Sequence, residues 1–369
     1  MDKALVIGSG PAGSACSRIL AEAGWKVDLF EKRNHIAGNC FDEYDENSVL
    51  VHRYGPHYFR TDSIELVKWL SKFTHWIPGH YYVRSMVDGK FIPVPVNLST
   101  FVSLIGKVLT EDEFKTYLEE QRITCQNPIN AEEQCLDMVG KELYDLLFKG
   151  YTIKQWGIEP YELSPAVTER LPLRLNWDER YPSEKYQIMP KDGYTAMFNN
   201  ILQHPNIHVE LNHELNPSDI SKMQNNYDLT IYSGPVDAFF GFEYGKLGYR
   251  SLRFVWKHFA ETYRQPCVQI NYPHKYRYTR TVEIKHVTEQ MCQGTTICYE
   301  YPQDEGEPFY PILTGDNLQK YDKYKLLVNK EKAKRNPILF LGRLAEYKYF
   351  NMDQIFIKAI QTVKNILGK

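Results

Sequence analysis

The feature that most constrains this chain is the hexapeptide GSGPAG at residues 8–13. Gly8, Gly10 and Gly13 have the G-x-G-x-x-G spacing of a dinucleotide-binding turn. In such a turn the first glycine permits a tight bend, the second lets the backbone approach a pyrophosphate, and the third allows a helix to pack on a strand. The alternative is a glycine-rich turn that serves the structure alone.

The residues on either side of the turn favour nucleotide binding. Residues 4–7 form a continuous apolar run, which is typical of a parallel strand covered on both faces. Residues 12–23 carry small and apolar side chains at helical spacing, so the start of this helix would offer free N–H groups to phosphates. Glu31 ends the next strand and is placed to accept hydrogen bonds from a ribose diol. The sequence therefore predicts a Rossmann-like domain.

The stretch EKRNHIAGN, residues 31–39, favours FAD over NAD as the nucleotide. It continues from Glu31 into a basic, glycine-containing loop that could wrap a second time over an adenosine diphosphate. This pattern resembles disulfide-reductase-like and amine-oxidase-like flavoproteins, in which a late strand and helix return to meet the flavin. Residues 337–342 and the helix from Met352 are placed to be that pair, and the amides near Met352 could stabilise negative charge on a reduced flavin.

Composition argues against several classes of partner and site. The formal net charge of −2 gives no reason to expect a nucleic-acid or anionic-membrane partner. No run approaches the roughly 18 apolar residues of a membrane span, and the first strand begins too early for a signal peptide. The seven cysteines are scattered without a C-x-x-C pair, so we expect no disulfide framework or metal site, and a reducing, cytoplasmic setting.

The order of periodic segments predicts an α/β protein in which a discontinuous Rossmann-like FAD-binding domain carries a helical insert and an antiparallel-sheet insert. Residues 62–75 indicate a helix with Asp62 as its N-cap, and residues 99–160 are mainly helical, with Gly157 ending the last helix. Residues 166–190 and 246–312 favour antiparallel strands. The predicted domains are residues 1–75, 192–240 and 330–369 for FAD binding, residues 99–165 for a helical lid, and residues 76–98, 166–191 and 241–329 for a substrate domain.

Seven motifs, in chain order, resemble those of the UDP-galactopyranose mutase family. They are GSGPAGS, EKRNHIAGNC, HRYGPHYF, KGYTIKQWG, ERLPLR, YTR before EIKH, and GRLAEYKYF. The resemblance runs from residue 3 to about residue 366 with nearly the same spacing, and KGYTIKQWG and GRLAEYKYF are its most specific motifs.

The resemblance implies an isomerase that interconverts the pyranose and furanose forms of a nucleotide sugar, with UDP-galactopyranose and UDP-galactofuranose as the expected pair. Its cofactor would be FAD, active when reduced, whose N5 attacks the anomeric carbon and displaces the nucleoside diphosphate. Arginines would retain the departing diphosphate, and a closing lid would exclude water. The resemblance also implies a homodimer.

Matching motif positions assigns roles residue by residue. Arg170 and Arg280 would bind the diphosphate and His57 would lie against the flavin, so these three are the predicted catalytic residues. The predicted substrate-binding residues are Arg60, Tyr151, Trp156, Tyr181, Asn271, Glu300, Tyr310 and Tyr349. The predicted cofactor-binding residues are Gly8, Gly10, Gly13, Glu31, Lys32, Arg33, Asn39, His57, Arg343 and Met352. Arg250 lies in a matching stretch and either serves the site or forms a structural salt bridge.

Three places depart from the family pattern and bear on the substrate. Arg60 stands where a histidine is usual, and it either pairs locally or widens the range of sugars, for example toward an N-acetylated galactosamine. Asn351 stands where an aspartate is usual; with Gln354 it fits a helix capping box, but one negative charge is lost. Residues 75–86 do not follow the pattern, and part of this stretch is expected near the nucleoside, which leaves the base open.

The sequence thus predicts a mutase for UDP-galactopyranose. The alternative within the class is a mutase for UDP-N-acetylgalactosamine or for a deoxy-hexose nucleotide. Two rivals come from other classes. An amine-oxidase-like flavin oxidoreductase would not need two arginines for a diphosphate, and a flavin-binding sensor would not need the full set of substrate-side motifs.

Overall fold

The computed structural model describes residues 2–169 and 173–368. Its strands are β1 Lys3–Ile7, β2 Lys26–Phe30, β3 Asp42–Tyr44, β4 Leu50–His52, β5 Phe59–Thr61, β6 Trp76–Pro78, β7 Val83–Val87, β8 Lys90–Val94, β9 Tyr186–Pro190, β10 Ile207–Glu210, β11 Leu229–Tyr232, β12 Tyr249–Phe259, β13 Gln269–Asn271, β14 Arg280–Val282, β15 Thr295–Gln303, β16 Tyr310–Pro311 and β17 Ile338–Phe340. Its helices are α1 Pro11–Glu22, α2 Ile64–Leu70, α3 Leu98–Ile105, α4 Glu111–Gln121, α5 Ala131–Leu143, α6 Gly150–Trp156, α7 Tyr194–Leu202, α8 Pro217–Gln224, α9 Val236–Phe239, α10 Lys285–Thr288, α11 Gly315–Lys332 and α12 Met352–Ile366. A π-helical segment, Tyr144–Lys149, joins α5 to α6.

The glycine fingerprint follows the central strand of a five-stranded parallel sheet with the order β10–β2–β1–β11–β17. Side chains of β1 alternate between the two faces. Ala4 and Val6 share a core with α1 and α12, whereas Leu5 packs with Phe340 on the opposite face. Both faces are therefore covered, which explains the continuous apolar run. The α/β, Rossmann-like prediction is confirmed, and three separated stretches of the chain build the sheet.

The second large element is a seven-stranded sheet with the order β16–β12–β15–β14–β13–β7–β8, antiparallel except between β13 and β7. It confirms the strands predicted within residues 246–312. Of the described residues among 166–190, only those of β9 form a strand, which pairs with β5 and β6, so the prediction of strands is wrong for residues 166–169 and 173–185. The Arg174 guanidinium donates to the carbonyls of Asp178, Arg180 and Pro182, so a side chain satisfies the backbone that a strand ladder would have satisfied.

The helical insert, α3 to α6, is confirmed. Phe101, Phe114 and Val139 pack with Val87 and Ile92 of the β7–β8 hairpin, so the insert shares one core with the edge of the seven-stranded sheet. Gly157 ends α6 with a φ of 73°, as the sequence predicts. None of the described helices combines the length and the apolar character needed to cross a membrane.

Two boundaries differ from the sequence-based expectations. The N-cap of α2 is Ser63, whose Oγ accepts the Leu66 N–H at 3.1 Å, and not Asp62, whose Oδ1 accepts the Lys185 N–H at 2.8 Å. Helix α11 continues across the predicted domain boundary between residues 329 and 330. It belongs with the parallel sheet, because Tyr324 and Val328 lie in the core under that sheet. Only these two residues of α11 are buried, so its sequence carries little helical periodicity.

Candidate active site

A cavity of about 200 Å³ is lined by residues from α6, from the seven-stranded sheet and from the start of α12. It brings together most of the predicted substrate and flavin residues, although they are scattered along the chain. Those that line it are Asn39, His57, Arg60, Tyr151, Trp156, Tyr181, Asn271, Arg280, Tyr310, Arg343, Tyr349 and Met352. The cavity is therefore the candidate active site.

Arg280 is held in this cavity by a buried carboxylate. The residue begins β14 and lies opposite Glu300 of β15 in the strand register. Its Nε donates to Glu300 Oε2 at 2.7 Å, and its terminal nitrogens make no hydrogen bond within the described residues. Burial raises the pKa of Glu300, Arg280 opposes that rise, and the pKa of Arg280 lies well above its usual range. The guanidinium thus stays charged and can face an anion.

Glu300 is not among the residues that line the cavity, and its contact with the substrate stays a prediction. Its residue is 0% exposed, and its Oε1 is buried without a hydrogen-bond partner within the described residues. A carboxylate in that place can act through the arginine beside it. Because the register of two strands places Glu300 next to Arg280, the sequence alone could not separate the two roles.

Helix α6 forms the wall at one end of the cavity. Tyr151 and Trp156 lie on it as predicted, and burial raises the pKa of Tyr151 to about 12. Thr152 and Gln155 also line the cavity, and the sequence analysis missed them. Gln155 is four residues after Tyr151 and Thr152 is four residues before Trp156, and this helical spacing is the signal that could have found them. This wall therefore combines aromatic rings with hydrogen-bonding side chains.

Two cations fix α6 against the seven-stranded sheet. Lys154 donates from its Nζ to the carbonyls of Tyr272, Tyr276 and Tyr278, in the loop between β13 and β14. Arg250 is 5% exposed; it donates to the Gln155 carbonyl at 2.8 Å and pairs with Asp304. Arg250 is thus a structural partner, the second of its two predicted roles.

Arg343 and two tyrosines line the cavity near the start of α12, and the Tyr310 ring lies 6.2 Å from that of Trp156 on α6. The Arg343 guanidinium donates to the Phe350 carbonyl at 2.8 Å, and its carbon lies 5.3 and 4.9 Å from the ring centroids of Tyr310 and Tyr349. Those two rings stack at 5.9 Å. Arg343 Nε is buried without a partner within the described residues, and Met352 begins α12 beside it. A flat ligand with an acceptor edge fits this part of the cavity.

His57 lines the cavity as a neutral imidazole. Its Nδ1 lies 3.0 Å from the Gly55 carbonyl, which can only accept, so Nδ1 carries the proton and Nε2 is an acceptor. Desolvation lowers the pKa of His57 to about 3. Its main-chain N–H donates to Nδ1 of His52 at 3.0 Å.

Arg60 pairs locally, the first of its two predicted alternatives, and yet it lines the cavity. Its Nη1 lies 2.9 Å from Glu184 Oε1, and its Nη2 donates to Asn351 Oδ1 at 3.1 Å. Asn351 and Gln354 also form the predicted capping box of α12. The two single-residue departures from the family pattern are thus in contact.

The glycine turn has the shape that a pyrophosphate requires. A Cβ on Gly13 would lie 1.9 Å from the Gly8 carbonyl oxygen, whereas a Cβ on Gly10 would meet nothing closer than Gly38 Cα at 3.9 Å. Gly8 has a φ of +97°, which favours glycine. A side-chain carbon on Gly10 would therefore meet no overlap, and α1 begins at the next residue.

Charged residues follow β2, beside the glycine turn. Glu31 is 6% exposed and accepts from the N–H and the Oγ of Ser9 at 2.9 and 2.7 Å. Lys32 and Arg33 both pair with Glu307, and Arg33 also donates to Asn39 Oδ1 at 2.9 Å. These residues can hold a ribose diol and two phosphates, so they fit the predicted FAD.

Two other expectations have different outcomes. Residues 75–86 do not line the cavity; Tyr81 is 0% exposed, stacks on Tyr58 at 4.1 Å and donates to Gln269 Oε1. This stretch supports the wall from behind because its aromatic side chain is buried.

Arg170 lies outside the described residues. No group of three or more His, Cys, Asp or Glu side chains in the described part of the chain could hold a metal ion.

Two family models match the chain. The model described as UDP-galactopyranose mutase matches residues 146–349, which include α6, Arg280 and most of the motif before α12. The model described as an NAD(P)-binding Rossmann-like domain matches residues 6–73, which include the glycine turn.

Similar proteins match over the full length. A protein of Klebsiella pneumoniae named as a probable UDP-galactopyranose mutase is 38% identical over 371 residues, covering 99% of this chain and 94% of the relative. The dTDP-fucopyranose mutase of Escherichia coli is 36% identical over 370 residues, covering 98% and 97%. A crystal structure of reduced UDP-galactopyranose mutase matches with a TM-score of 0.77 over 100% of this chain and 96% of that chain, at 17% identity, which supports the fold.

Proposed function

The chain belongs to the UDP-galactopyranose mutase family, and from that premise we propose that it is an FAD-dependent enzyme that interconverts UDP-galactopyranose and UDP-galactofuranose. Family membership makes it an isomerase of nucleotide sugars. The observation that carries the finer proposal is the cavity itself. It combines the aromatic wall of α6, Arg280 held by Glu300, and the His57 and Arg343 side chains.

The cofactor proposal rests on the open glycine turn and on the start of α12. Gly10 and the N-terminus of α1 would receive the pyrophosphate, and Glu31 would accept from the ribose. Arg343 and the first amides of α12 would face the isoalloxazine edge. When bound and reduced, the flavin would supply the nucleophile, N5, that displaces the diphosphate from the anomeric carbon.

The residues of the chain would perform the remaining tasks. Arg280 would hold the diphosphate while it is detached from the sugar, and the predicted partner for this task is Arg170. Removing one such charge-stabilising donor typically lowers kcat by about 10²- to 10³-fold. Tyr151 would stack on the uracil, and Tyr181, Tyr310 and Tyr349 would donate hydroxyls to the phosphates. Because Lys154 and Arg250 fix α6, this wall would stay in place during turnover.

A modified sugar nucleotide is the second candidate substrate, favoured by the contact between Arg60 and Asn351. The guanidinium of Arg60, which has five N–H donors, stands where the family has a histidine. The neutral amide of Asn351 faces it, where the family has an aspartate. A guanidinium N–H that neither Glu184 nor Asn351 uses can donate to an added acetamido oxygen. The sequence identity to a dTDP-fucopyranose mutase is nearly as high as that to a probable UDP-galactopyranose mutase. A deoxy-hexose nucleotide should therefore also be assayed as a substrate.

The decisive experiment follows both sugar conversion and the reductant. We expect the purified protein to be yellow and, after dithionite reduction, to convert UDP-galactofuranose to the pyranose form. Two electrons per flavin should suffice for many turnovers. Steady consumption of reductant with each turnover would instead identify an oxidoreductase. Arg280→Ala should lower kcat by about 10²- to 10³-fold while the yellow colour remains, and Arg253→Ala, which changes an exposed arginine on β12, is the matched control.

The homodimer and the cytoplasmic location stay predictions from the sequence. Sedimentation velocity of the flavin-loaded protein would test the first, and a sedimenting species of about one chain mass at all concentrations would contradict it. Cell fractionation would test the second. Neither result bears on the proposed chemistry, because every residue used above belongs to one chain.

A further inference from the structure

His52 lies just behind the candidate active site and does not line it. The residue ends β4, is 4% exposed and faces Asp42 of β3 in the strand register. Its Nδ1 accepts the main-chain N–H of His57 at 3.0 Å. Because Nδ1 accepts, the proton of the neutral ring lies on Nε2. His52 therefore presents one acceptor, and that acceptor is used by the residue next to the proposed flavin.

The other ring nitrogen of His52 makes no hydrogen bond within the described residues. This nitrogen, Nε2, is buried. Its nearest carboxylate oxygen, Asp42 Oδ2, is 3.9 Å away and already accepts the Tyr194 N–H at 2.6 Å. A buried donor without a partner destabilises the folded state, and an apolar side chain would avoid this cost. The contact with His57 is what the imidazole provides that an apolar side chain does not.

The turn at residues 55–57 is held on both sides. Gly55 has a φ of +84°, and a Cβ there would lie 3.2 Å from Glu300 Oε1. The carbonyl of Gly55 accepts from the His57 ring, and His52 accepts from the His57 main chain. Gly55 therefore contacts both the His57 ring and Glu300, and so links the position of the ring to the Arg280–Glu300 pair.

We propose that His52 is a positioning residue: it fixes the main chain of His57 and thereby sets how the His57 ring meets the flavin. The inference rests on the proposed function for its catalytic consequence. The hydrogen bond to His57 does not, since it forms within the protein alone. Removing the acceptor should let the His57 turn shift, and a displacement of about 1 Å near reacting atoms can lower turnover by about 10²-fold.

Two polar substitutions test the acceptor directly. In His52→Asn the amide oxygen can occupy the place of Nδ1, whereas in His52→Gln it reaches toward the place of Nε2. With FAD-loaded, reduced enzyme we expect kcat of His52→Gln to fall by at least about tenfold with KM for the nucleotide sugar within about twofold. The flavin absorption bands and midpoint potential should shift with it. His52→Asn should restore kcat to within about threefold of the unmodified enzyme.

A matched control separates positioning from general damage to the core. Thr230 of β11 is 1% exposed and its Oγ is also buried without a partner within the described residues, so Thr230→Val should change neither kcat nor the flavin spectrum. Equal loss in His52→Asn and His52→Gln, or unchanged kcat and spectrum in His52→Gln, would overturn the proposal. Thermal unfolding of each variant shows whether it is folded.

The exchange rate of the His57 amide hydrogen, measured by NMR, does not depend on flavin. We expect faster exchange in His52→Gln than in the unmodified protein and in His52→Asn; equal rates would also overturn the proposal. If the unmodified protein bound no flavin but this difference appeared, the proposed function would fail while the positioning contact stood.

Discussion

Arg60 Nη2 donates a hydrogen bond to Asn351 Oδ1 at 3.1 Å, although the two residues are 291 positions apart. On its other side Arg60 pairs with Glu184. The guanidinium therefore has one charged and one neutral partner, and it also lines the cavity. Both positions depart from the family pattern, so their contact makes them a single structural unit at the candidate site.

Changing Arg60→His and Asn351→Asp, singly and together, should alter the substrate range. A second carboxylate in Asn351→Asp would hold the guanidinium on the protein, because it would add ionic attraction to a hydrogen bond in which only the donor is now charged. We therefore expect a lower kcat/KM for UDP-N-acetylgalactosamine relative to UDP-galactopyranose in either single variant. The double-mutant cycle should show a coupling free energy of about 0.5–3 kcal/mol. Additive effects would mean that the two positions act independently.

Arg280→Ala should lower kcat by about 10²- to 10³-fold, since the diphosphate loses its held cation. Glu300→Gln should lower it less, because the arginine remains but loses its charged partner. Both variants should retain flavin, as neither residue belongs to the glycine turn. Absorbance at the flavin band checks retention, and steady-state kinetics check turnover. A Glu300→Gln enzyme slower than Arg280→Ala would indicate a direct role for the carboxylate.

Gly10→Ala and Gly13→Ala should fail for different reasons. A Cβ on Gly13 overlaps the Gly8 carbonyl, so this variant should lose stability as well as flavin. Gly10 has a φ of −70° and open space, so its alanine variant should fold with an unfolding midpoint close to that of the unmodified apoprotein. Its methyl group would occupy the pyrophosphate space and raise the FAD dissociation constant by about 100-fold or more. Unchanged FAD affinity in Gly10→Ala would remove the turn from the cofactor site.

Tyr151→Ala should weaken UDP binding through lost stacking on the base. Stacking of a base on an aromatic ring contributes about 1–3 kcal/mol, so the dissociation constant should rise between about 5- and 150-fold. Tyr151→Phe keeps the ring and should bind UDP within about twofold of the unmodified enzyme. Calorimetric titration of the flavin-loaded protein measures both. Equal affinity for all three proteins would place the base elsewhere.

Acid should destabilise the protein through its neutral histidines. Burial lowers the pKa of His52 and of His57 to about 3, whereas both take up protons near 6.5 in the unfolded chain. Between those values the unfolded chain binds more protons, so the free energy of unfolding falls as the pH falls below 6.5, by up to about 1.4 kcal/mol per pH unit for each histidine. Above pH 6.5 this contribution is fully present.

Urea unfolding between pH 5 and 8 measures this slope. His52→Asn removes one of the two titrating groups and keeps an acceptor for the His57 amide. The slope below pH 6.5 should therefore be smaller in His52→Asn than in the unmodified protein. Identical slopes for the two proteins would mean that His52 is protonated in the folded state.

Local sequence determined the parts of this protein that depend on neighbouring residues. The glycine turn was predictable because three glycines in this spacing are typical of a dinucleotide-binding turn. The end of α6 was predictable because glycine readily adopts the positive φ that ends a helix, as Gly157 does. The roles of Arg280, Tyr151 and Arg343 came from motif resemblance. Their gathering in one cavity agrees with those roles, which stay predictions until they are tested.

Tertiary structure decided the rest, because the deciding contacts join residues that are far apart in the chain. Strand register placed Glu300 beside Arg280, and Arg174 satisfied carbonyls that would otherwise have joined a strand. The helix α11 joined the parallel sheet through two buried side chains, too few to leave a pattern. A sequence pattern reports the face that a segment buries, and it does not report which distant segment that face meets. The contact of Arg60 with Asn351 and of His52 with His57 exists only in the folded chain.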